Sequence, residues 1–225
     1  MEQKMAPGTG LTARQEQFLA VVQEDPFILK HFYLTGGTAL SSWYLHHRES
    51  YDLDFFSDSV LNKDQLTHWL TEHKAVIGFD SARIEDDFGF LMFFLSYKNR
   101  ESLKIDFHHY GADRLKKGLD WRGLSIDSFY DIAVNKLQTI VTNPRGRDYV
   151  DLFGILGETK WSIRPLMLDA RKKFNIGIDV MQIAKSFLKV GEYTDLPSML
   201  IPFDRQQMDS FFMNLAKSFK QDVFT

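Results

Sequence analysis

Short apolar runs bounded by glycine and polar turns occupy the first half of this chain, whereas past Asp127 apolar residues recur only at helical spacing. From Thr12, TARQEQFLAVVQED places Phe18, Leu19, Val21 and Val22 on one side and ends in acids before Pro26, which predicts a helix. The run FYL at 32–34 reaches Gly36 and Gly37 and gives way to TALSSWYLHH, with Leu40, Trp43 and Tyr44 at helical spacing, so the local order is strand, glycine turn, helix. DLDFF at 52–56 predicts the next strand, and NKDQLTHWLTEH at 62–73 a helix with Leu66, Trp69 and Leu70 on one side. SARIEDDFG carries no assigned element, while GFLMFFLSY at 89–97 and SLKIDFHHY at 102–110 predict two further strands joined by the turn-like KNRE. Helical runs then follow one another: DSFYDIAVNKLQTIV, RDYVDLFGIL, RPLMLDARKKF, DVMQIAKSFLKV and DRQQMDSFFMNLAKSF.

This order predicts an α+β fold, a mixed β-sheet flanked by helices over residues 1–125 and a C-terminal helical bundle over 126–225. The first ten residues, rich in Gly, Pro and Thr, are expected to be loose. A net charge of -3 with a pI near 6.2 provides no global basic field, so any nucleic-acid contact has to come from a local patch. The absence of cysteine removes disulfides, thiolate zinc sites and cysteine nucleophiles together. MEQKMAPGTG has no apolar run and no 18-residue apolar segment follows, so the expectation is a cytoplasmic protein with no membrane partner. Twenty phenylalanines imply either a tightly packed interior or a sticky partner surface, and composition does not separate the two.

Candidate chemistry begins with Asp52 and Asp54. Residues i and i+2 of a strand share a face, so the two carboxylates project together while Leu53 and Phe55 turn into a core. Their Cα atoms then lie roughly 6.6 Å apart, near enough for both to hold one divalent cation or a pair of them. Without a cation, like charges that close disfavour joint ionisation. An edge strand showing its polar face to water is the plainer alternative, and Phe56 falls on the same face. KIDFHH at 104–109 adds Asp106 in mid-strand, and three acids from two strands suit a two-metal site. His108 and His109 read either as ligands or as surface residues at a strand end.

The turn at Gly36 and Gly37 opens a helix at Thr38 and leaves backbone N–H groups aimed outward, which suits a phosphate. Lys136 lies four residues from both Ile132 and Ile140, inside the apolar arc of its helix. An ammonium there is costly unless it faces a partner or a cleft, with snorkelling along the core edge as the alternative. Asp131 and Asn135 share the opposite, polar side. Asp148 and Asp151 open the next helix, where the helix dipole favours acids in any protein, although Asp148 precedes Leu152 by four on the apolar side. The basic clusters RLKK at 114–117 and RKK at 171–173 read as solvated faces that could touch RNA, and Phe211, Phe212, Leu215 and Phe219 as packing or a partner surface.

Taken in order, LTGGTAL, HRESYDLDFF, KIDF and FYDIAVNKLQTIVTNPRGRDYVDL resemble the nucleotidyltransferase signature of the DNA polymerase beta superfamily. More narrowly, they are similar to the AbiEii/AbiGii toxin family of bacterial nucleotidyltransferase-like proteins. The resemblance covers roughly residues 32–153, with Thr38 where serine is commoner, and residues 160–225 match no motif. It implies a nucleotidyltransferase fold in which Gly36, Gly37 and Thr38 hold the triphosphate and Asp52 and Asp54 bind two Mg²⁺ (or Mn²⁺) ions. Asp106 would help bind the second ion and orient or deprotonate the acceptor hydroxyl. Lys136 would contact the nucleotide phosphates, Asp148 would carry functional weight with Asp151 behind it, and Arg48 and Ser50 would flank the acids, where a surface position is equally open.

The reaction implied is in-line attack on the α-phosphate with pyrophosphate leaving. The implied partners are an NTP donor, an RNA acceptor with tRNA as a candidate, and a cognate antitoxin, the chain being the toxin of a toxin-antitoxin or phage-defence system. Two alternatives stand beside this: a small-molecule nucleotidyltransferase of the antibiotic-modifying kind, and a catalytically inactive nucleotidyltransferase-like protein that binds a partner through aromatic surface. A nuclease leaves the glycine turn and Lys136 without a role.

Overall fold

The computed structural model describes residues 10–87, 89–175, 177 and 179–219, so the expectation for residues 1–9 lies outside the described residues. In chain order the elements are α1 (Ala13–Gln23), α2 (Pro26–His31), β1 (Tyr33–Thr35), α3 (Gly36–Leu40), a π-helical turn (Ser41–Leu45), β2 (Leu53–Ser57), α4 (Lys63–Glu72), α5 (Lys74–Ile77), β3 (Ser81–Asp87), β4 (Phe90–Ser96) and β5 (Ser102–His109). They continue with β6 (Leu119–Trp121), β7 (Leu124–Ile126), α6 (Phe129–Thr142), α7 (Gly146–Glu158), α8 (Ile163–Phe174), α9 (Val180–Leu188) and α10 (Arg205–Ser218). The chain divides into two compact units. The first holds the residues up to Tyr44, Ser50–Asp113 and Lys117–Ser128, and the second holds Leu45–Glu49, Arg114–Lys116 and the chain from Phe129 onward.

The first unit is built on a seven-stranded sheet of order β3-β4-β5-β2-β1-β7-β6. It is mixed, as expected: β2 runs parallel to β5 and β1 parallel to β7, and the other pairs are antiparallel. Strands β3, β6 and β7 have no counterpart in the sequence reading. Every residue of β3 is exposed, so it shows no apolar alternation, and β6 and β7 are three residues each, too short to display a period. Leu53 and Phe55 of β2, Leu91 and Phe93 of β4, and Ile105 and Phe107 of β5 are paired across the strands on one face and buried there. Phe18 of α1 covers that face, with its ring 6.2 Å from Phe55 and edge-on to Trp69 of α4 at 5.8 Å. Each such side chain taken fully out of water contributes about 1.5–3 kcal/mol. Alternation then sends Asp54 and Phe56 of β2, Phe90 of β4, and Lys104, Asp106 and His108 of β5 to the other face.

Helix α1 starts where Thr12 caps it. The Thr12 hydroxyl accepts from the Gln15 backbone N–H, and the Gln15 side-chain oxygen accepts from that of Thr12. In the second unit α6 packs on α7, α8 and α9, and α10 packs on α9 and α7. Tyr149, Phe187, Phe212 and Phe219 fill its core, with Phe212 edge-on to Tyr149 at 5.2 Å, so the aromatic C-terminal helix serves packing. Segment Leu45–Glu49 lies along residues 198–200 of the same unit, where Glu49 donates to the Ser198 carbonyl and Leu200 donates to that of His47. No helix among the described residues is long and apolar enough to cross a membrane.

Candidate active site

In the first unit the pairing register brings Asp54 directly opposite Asp106, and Phe56 opposite His108. Three groups, Asp54, Asp106 and His108, each offer one ligand atom, all within 4.8 Å of one another. Asp52 is not one of the three. The strand begins at Leu53, so Asp52 sits in its lead-in, where its carbonyl accepts a hydrogen bond from the Thr38 hydroxyl. His108, read from the sequence as ligand or surface, is drawn into the cluster, while His109 falls on the opposite side of the strand by alternation.

Gly36 is the residue on which this arrangement rests. Its φ of +74° lies in the left-handed region, and a Cβ at this position would overlap the Asp54 carboxylate. The glycine turn and the acid of β2 are therefore in contact, backbone to carboxylate. Thr38 is buried, and besides reaching the Asp52 carbonyl its hydroxyl shares a 2.9 Å hydrogen bond with Ser50. Gln15 reinforces the joint by donating to the Ser50 carbonyl at 3.1 Å. Thr38 and Ser50 thus bind each other and fix the chain that leads into β2.

The charges of this cluster are incompletely balanced. Loss of water around Asp54, then the charge of Asp106, push its pKa above the usual carboxylate range; His108 and Lys104 oppose and Asp52 adds. Burial also penalises ionised Asp106, but His108 and Lys104 beside it outweigh that and hold it below the usual range. Lys104 pairs with Asp106 Oδ2, whereas Nε2 of His108 lies 4.0 Å from the same oxygen, beyond hydrogen-bond length, so its influence is electrostatic. Asp106 Oδ1 and His108 Nε2 are buried with no hydrogen-bond partner. Two carboxylates and an imidazole nitrogen, with Asp106 Oδ1 and His108 Nε2 both unpartnered, fit a divalent cation.

The second unit holds the other predicted residues. Arg48 is buried and grips Asp151 with a two-pronged fork, Nε to Oδ1 at 2.6 Å and Nη2 to Oδ2 at 2.8 Å. His47 Nε2 meets Asp151 Oδ1 at 2.9 Å. Lys136 Nζ lies 2.8 Å from Asp148 Oδ1 and 2.6 Å from Asp151 Oδ2, and Arg145 closes on Asp148 at 2.9 Å. Burial opposes ionisation of Asp151, but Arg48 and Lys136 hold it well below the usual carboxylate range; Asp148 is lowered too, with Lys136 and Arg145 overcoming burial. Lys136 faces a partner, as its place in the apolar arc requires, and the partners are these two aspartates.

Asp131 departs from the sequence reading. It is buried, not on a polar side, and accepts from the backbone of Leu115 at 2.8 Å and of Lys116 at 2.9 Å and from Lys173 at 2.6 Å. Lys173 of the RKK cluster is correspondingly buried. Sequence reasoning also missed His47, Arg145 and Lys104. Of these only Lys104 had a signal, being two residues before Asp106 and so on the same strand face.

Known proteins resemble this chain over nearly its whole length. The crystal structure of JHP933 from Helicobacter pylori superposes with a TM-score of 0.58 at 16% identity, covering 98% of this chain and 95% of that one. A second H. pylori crystal structure gives 0.59 at 18% identity, covering 93% and 94%. An uncharacterized Aquifex aeolicus protein, aq_aa25, is 26% identical over 209 residues, 87% of this chain and 91% of its own length. Residues 17–210 match the family model "Nucleotidyl transferase AbiEii toxin, Type IV TA system", and the chain belongs to that nucleotidyltransferase family.

Proposed function

We propose that this protein transfers a nucleoside monophosphate from an NTP to an acceptor hydroxyl, that the acceptor is RNA, and that the protein is the toxin of a toxin-antitoxin pair. The observation that carries the reading is the seating of the Asp54 carboxylate against Gly36, opposite Asp106. That contact joins a phosphate-facing turn to a pair of acids. Membership of the family supports the transferase class and a nucleotide substrate.

In this reading the backbone N–H groups of Gly36, Gly37 and Thr38 receive the triphosphate. Asp54 and Asp106, with Asp52 next to them, hold divalent ions, Mg²⁺ or Mn²⁺. The ions, when bound, neutralise the phosphates and stabilise charge on the entering and leaving oxygens. Asp106 orients the acceptor hydroxyl and takes its proton; the acceptor oxygen bonds to the α-phosphorus, the bond from that phosphorus to the bridging oxygen breaks, and pyrophosphate departs. Ser50 and Thr38 hold Asp52 in place, and in the second unit Arg48, Lys136 and Asp148 form the charged network that supports its helices.

The test is incubation of the full chain with each of the four α-labelled NTPs, divalent ion and cellular RNA, with aminoglycosides replacing RNA in a parallel series. Label should enter RNA and be lost in Asp52→Ala and Asp54→Asn. Labelling that survives both substitutions, or that enters only the aminoglycosides, overturns the proposal.

A further inference from the structure

Nucleotidyl transfer by Asp52, Asp54 and Asp106 leaves His108 without work. His108 stands two residues beyond Asp106 on one face of β5, opposite Phe56 of β2 on one side and Phe90 of β4 on the other. Its ring stacks on Phe56 at 4.8 Å and 30° and meets Phe90 edge-on at 4.3 Å and 73°. Phe56 is in turn backed by Tyr110 at 4.5 Å. A ring gripped from two sides keeps its plane, and with it the direction of its nitrogen lone pair.

Nε2 of that ring is buried and has no hydrogen-bond partner. A histidine serving only to pack would satisfy its buried nitrogen, because leaving it unsatisfied costs stability. Asp106, 6% exposed, shows the complementary pattern, with Oδ2 taken by Lys104 and Oδ1 left unpartnered. Lys104 thereby occupies one oxygen of Asp106 and leaves the other without a partner. Ligand atoms of Asp54, Asp106 and His108 lie within 4.8 Å of one another, and ions of this class bond at about 2.1 Å, which places opposite ligands about 4.2 Å apart. Small side-chain adjustments close that gap.

Resting on the nucleotidyltransferase reading, we propose that His108 is a nitrogen ligand of the metal site and that it makes the site select a transition ion such as Mn²⁺ over Mg²⁺. Mg²⁺ takes oxygen ligands and sheds water reluctantly, whereas imidazole suits first-row transition ions, so the nitrogen adds affinity for one ion and little for the other.

The experiment uses the metal-stripped full chain without nucleotide, titrated with Mn²⁺ and followed by electron paramagnetic resonance, with pulsed measurement of nitrogen coupling and Mg²⁺ as competitor. Wild type should show a nitrogen coupling that changes isotope when histidine is labelled with ¹⁵N, and should bind Mn²⁺ about tenfold more tightly than Mg²⁺. His108→Gln should lose the coupling and about tenfold in Mn²⁺ affinity while its Mg²⁺ affinity moves less than about threefold. Absence of Mn²⁺ binding, bound Mn²⁺ without nitrogen coupling, or coupling that persists in His108→Gln overturns the inference. If His108→Gln does not fold, the ¹⁵N-histidine wild type still decides, since His108 is the histidine of the three-ligand cluster. Because nucleotide and RNA are absent, His108 coupling in a protein that transfers no label refutes the transfer reading alone; label transfer without coupling refutes the role of His108 alone.

Discussion

Asp54 of the first unit and Asp148 and Asp151 of the second, all sheltered from water, meet opposite fates in this protein. In the second unit Asp151 receives Arg48, Lys136 and His47, and Asp148 receives Lys136 and Arg145, so both carboxylates are held below the ordinary range. In the first unit Asp54 meets the Gly36 backbone and the like charge of Asp106, and is pushed above that range. Charge that the chain neutralises itself is finished structure. Charge that it leaves short of partners is a place for a cation from outside. In the proposed reading the contrast sets Asp148 and Asp151, as supporting acids, apart from Asp54, although all three are aspartates in family motifs.

Substitutions break this contrast in order of size. Asp54→Asn should lower nucleotidyl transfer by about 10³-fold, measured as label incorporation, while the melting temperature of the ion-free protein stays at or above wild type, because a neutral amide carries no ionisation penalty. A fall in melting temperature would place Asp54 with the balanced acids. Lys136→Met should do the reverse in stability, since Asp148 and Asp151 each lose a partner. The cost is about 3–5 kcal/mol, read in calorimetry as a drop of about 2–4 °C per kcal/mol at this size. Gly36→Ala should cost about 1–2 kcal/mol from its left-handed backbone and, by displacing Asp54, about tenfold in ion affinity, measured by Mn²⁺ titration. Ser50→Ala, which removes one hydroxyl from the joint with Thr38, should cost about 0.5–1.5 kcal/mol in urea unfolding.

Acid should sharpen the same contrast. Asp54 has a folded pKa above its ordinary 3.8, so the native state holds this proton more tightly than the unfolded state. Its ionisation therefore penalises stability above the folded pKa, and the penalty fades as pH falls toward 3.8; ion binding, which needs the carboxylate, is lost over the same descent. Asp151 has a folded pKa well below 3.8, so its stabilisation is complete above 3.8 and is lost only as pH falls through that lower value. Mn²⁺ affinity should accordingly weaken in mild acid while amide protection factors over residues 136–151 of the second unit, corrected for the intrinsic pH dependence of exchange, are unchanged.

Much of this was legible before any coordinates. Short-range rules located the β1, glycine turn and α3 sequence, the strands carrying Asp54 and Asp106, and the out-of-place lysine in α6. Strand parity applied to β5 also puts Lys104 and His108 beside Asp106. Asp52 lies outside the cluster of Asp54, Asp106 and His108, because it precedes the first residue of β2 and alternation holds only inside a strand. Asp131 was misplaced for a different reason. Its partners come from residues 115, 116 and 173, and helical periodicity knows nothing of segments that arrive from elsewhere in the chain.

By itself, then, the sequence determined the kinds of elements, the shared face of Asp54 and of Asp106 with its strand neighbours, and a glycine turn ahead of a helix. These follow from covalent geometry over a few residues, which every local stretch obeys wherever it folds. Only the tertiary structure decided the pairing of Asp54 with Asp106, the orphaned nitrogen of His108, and the neutralisation of Asp148 and Asp151 by Lys136, Arg48 and Arg145. The balance of sheltered charge is a sum over neighbours brought from distant parts of the chain, so it exists only once those parts have met.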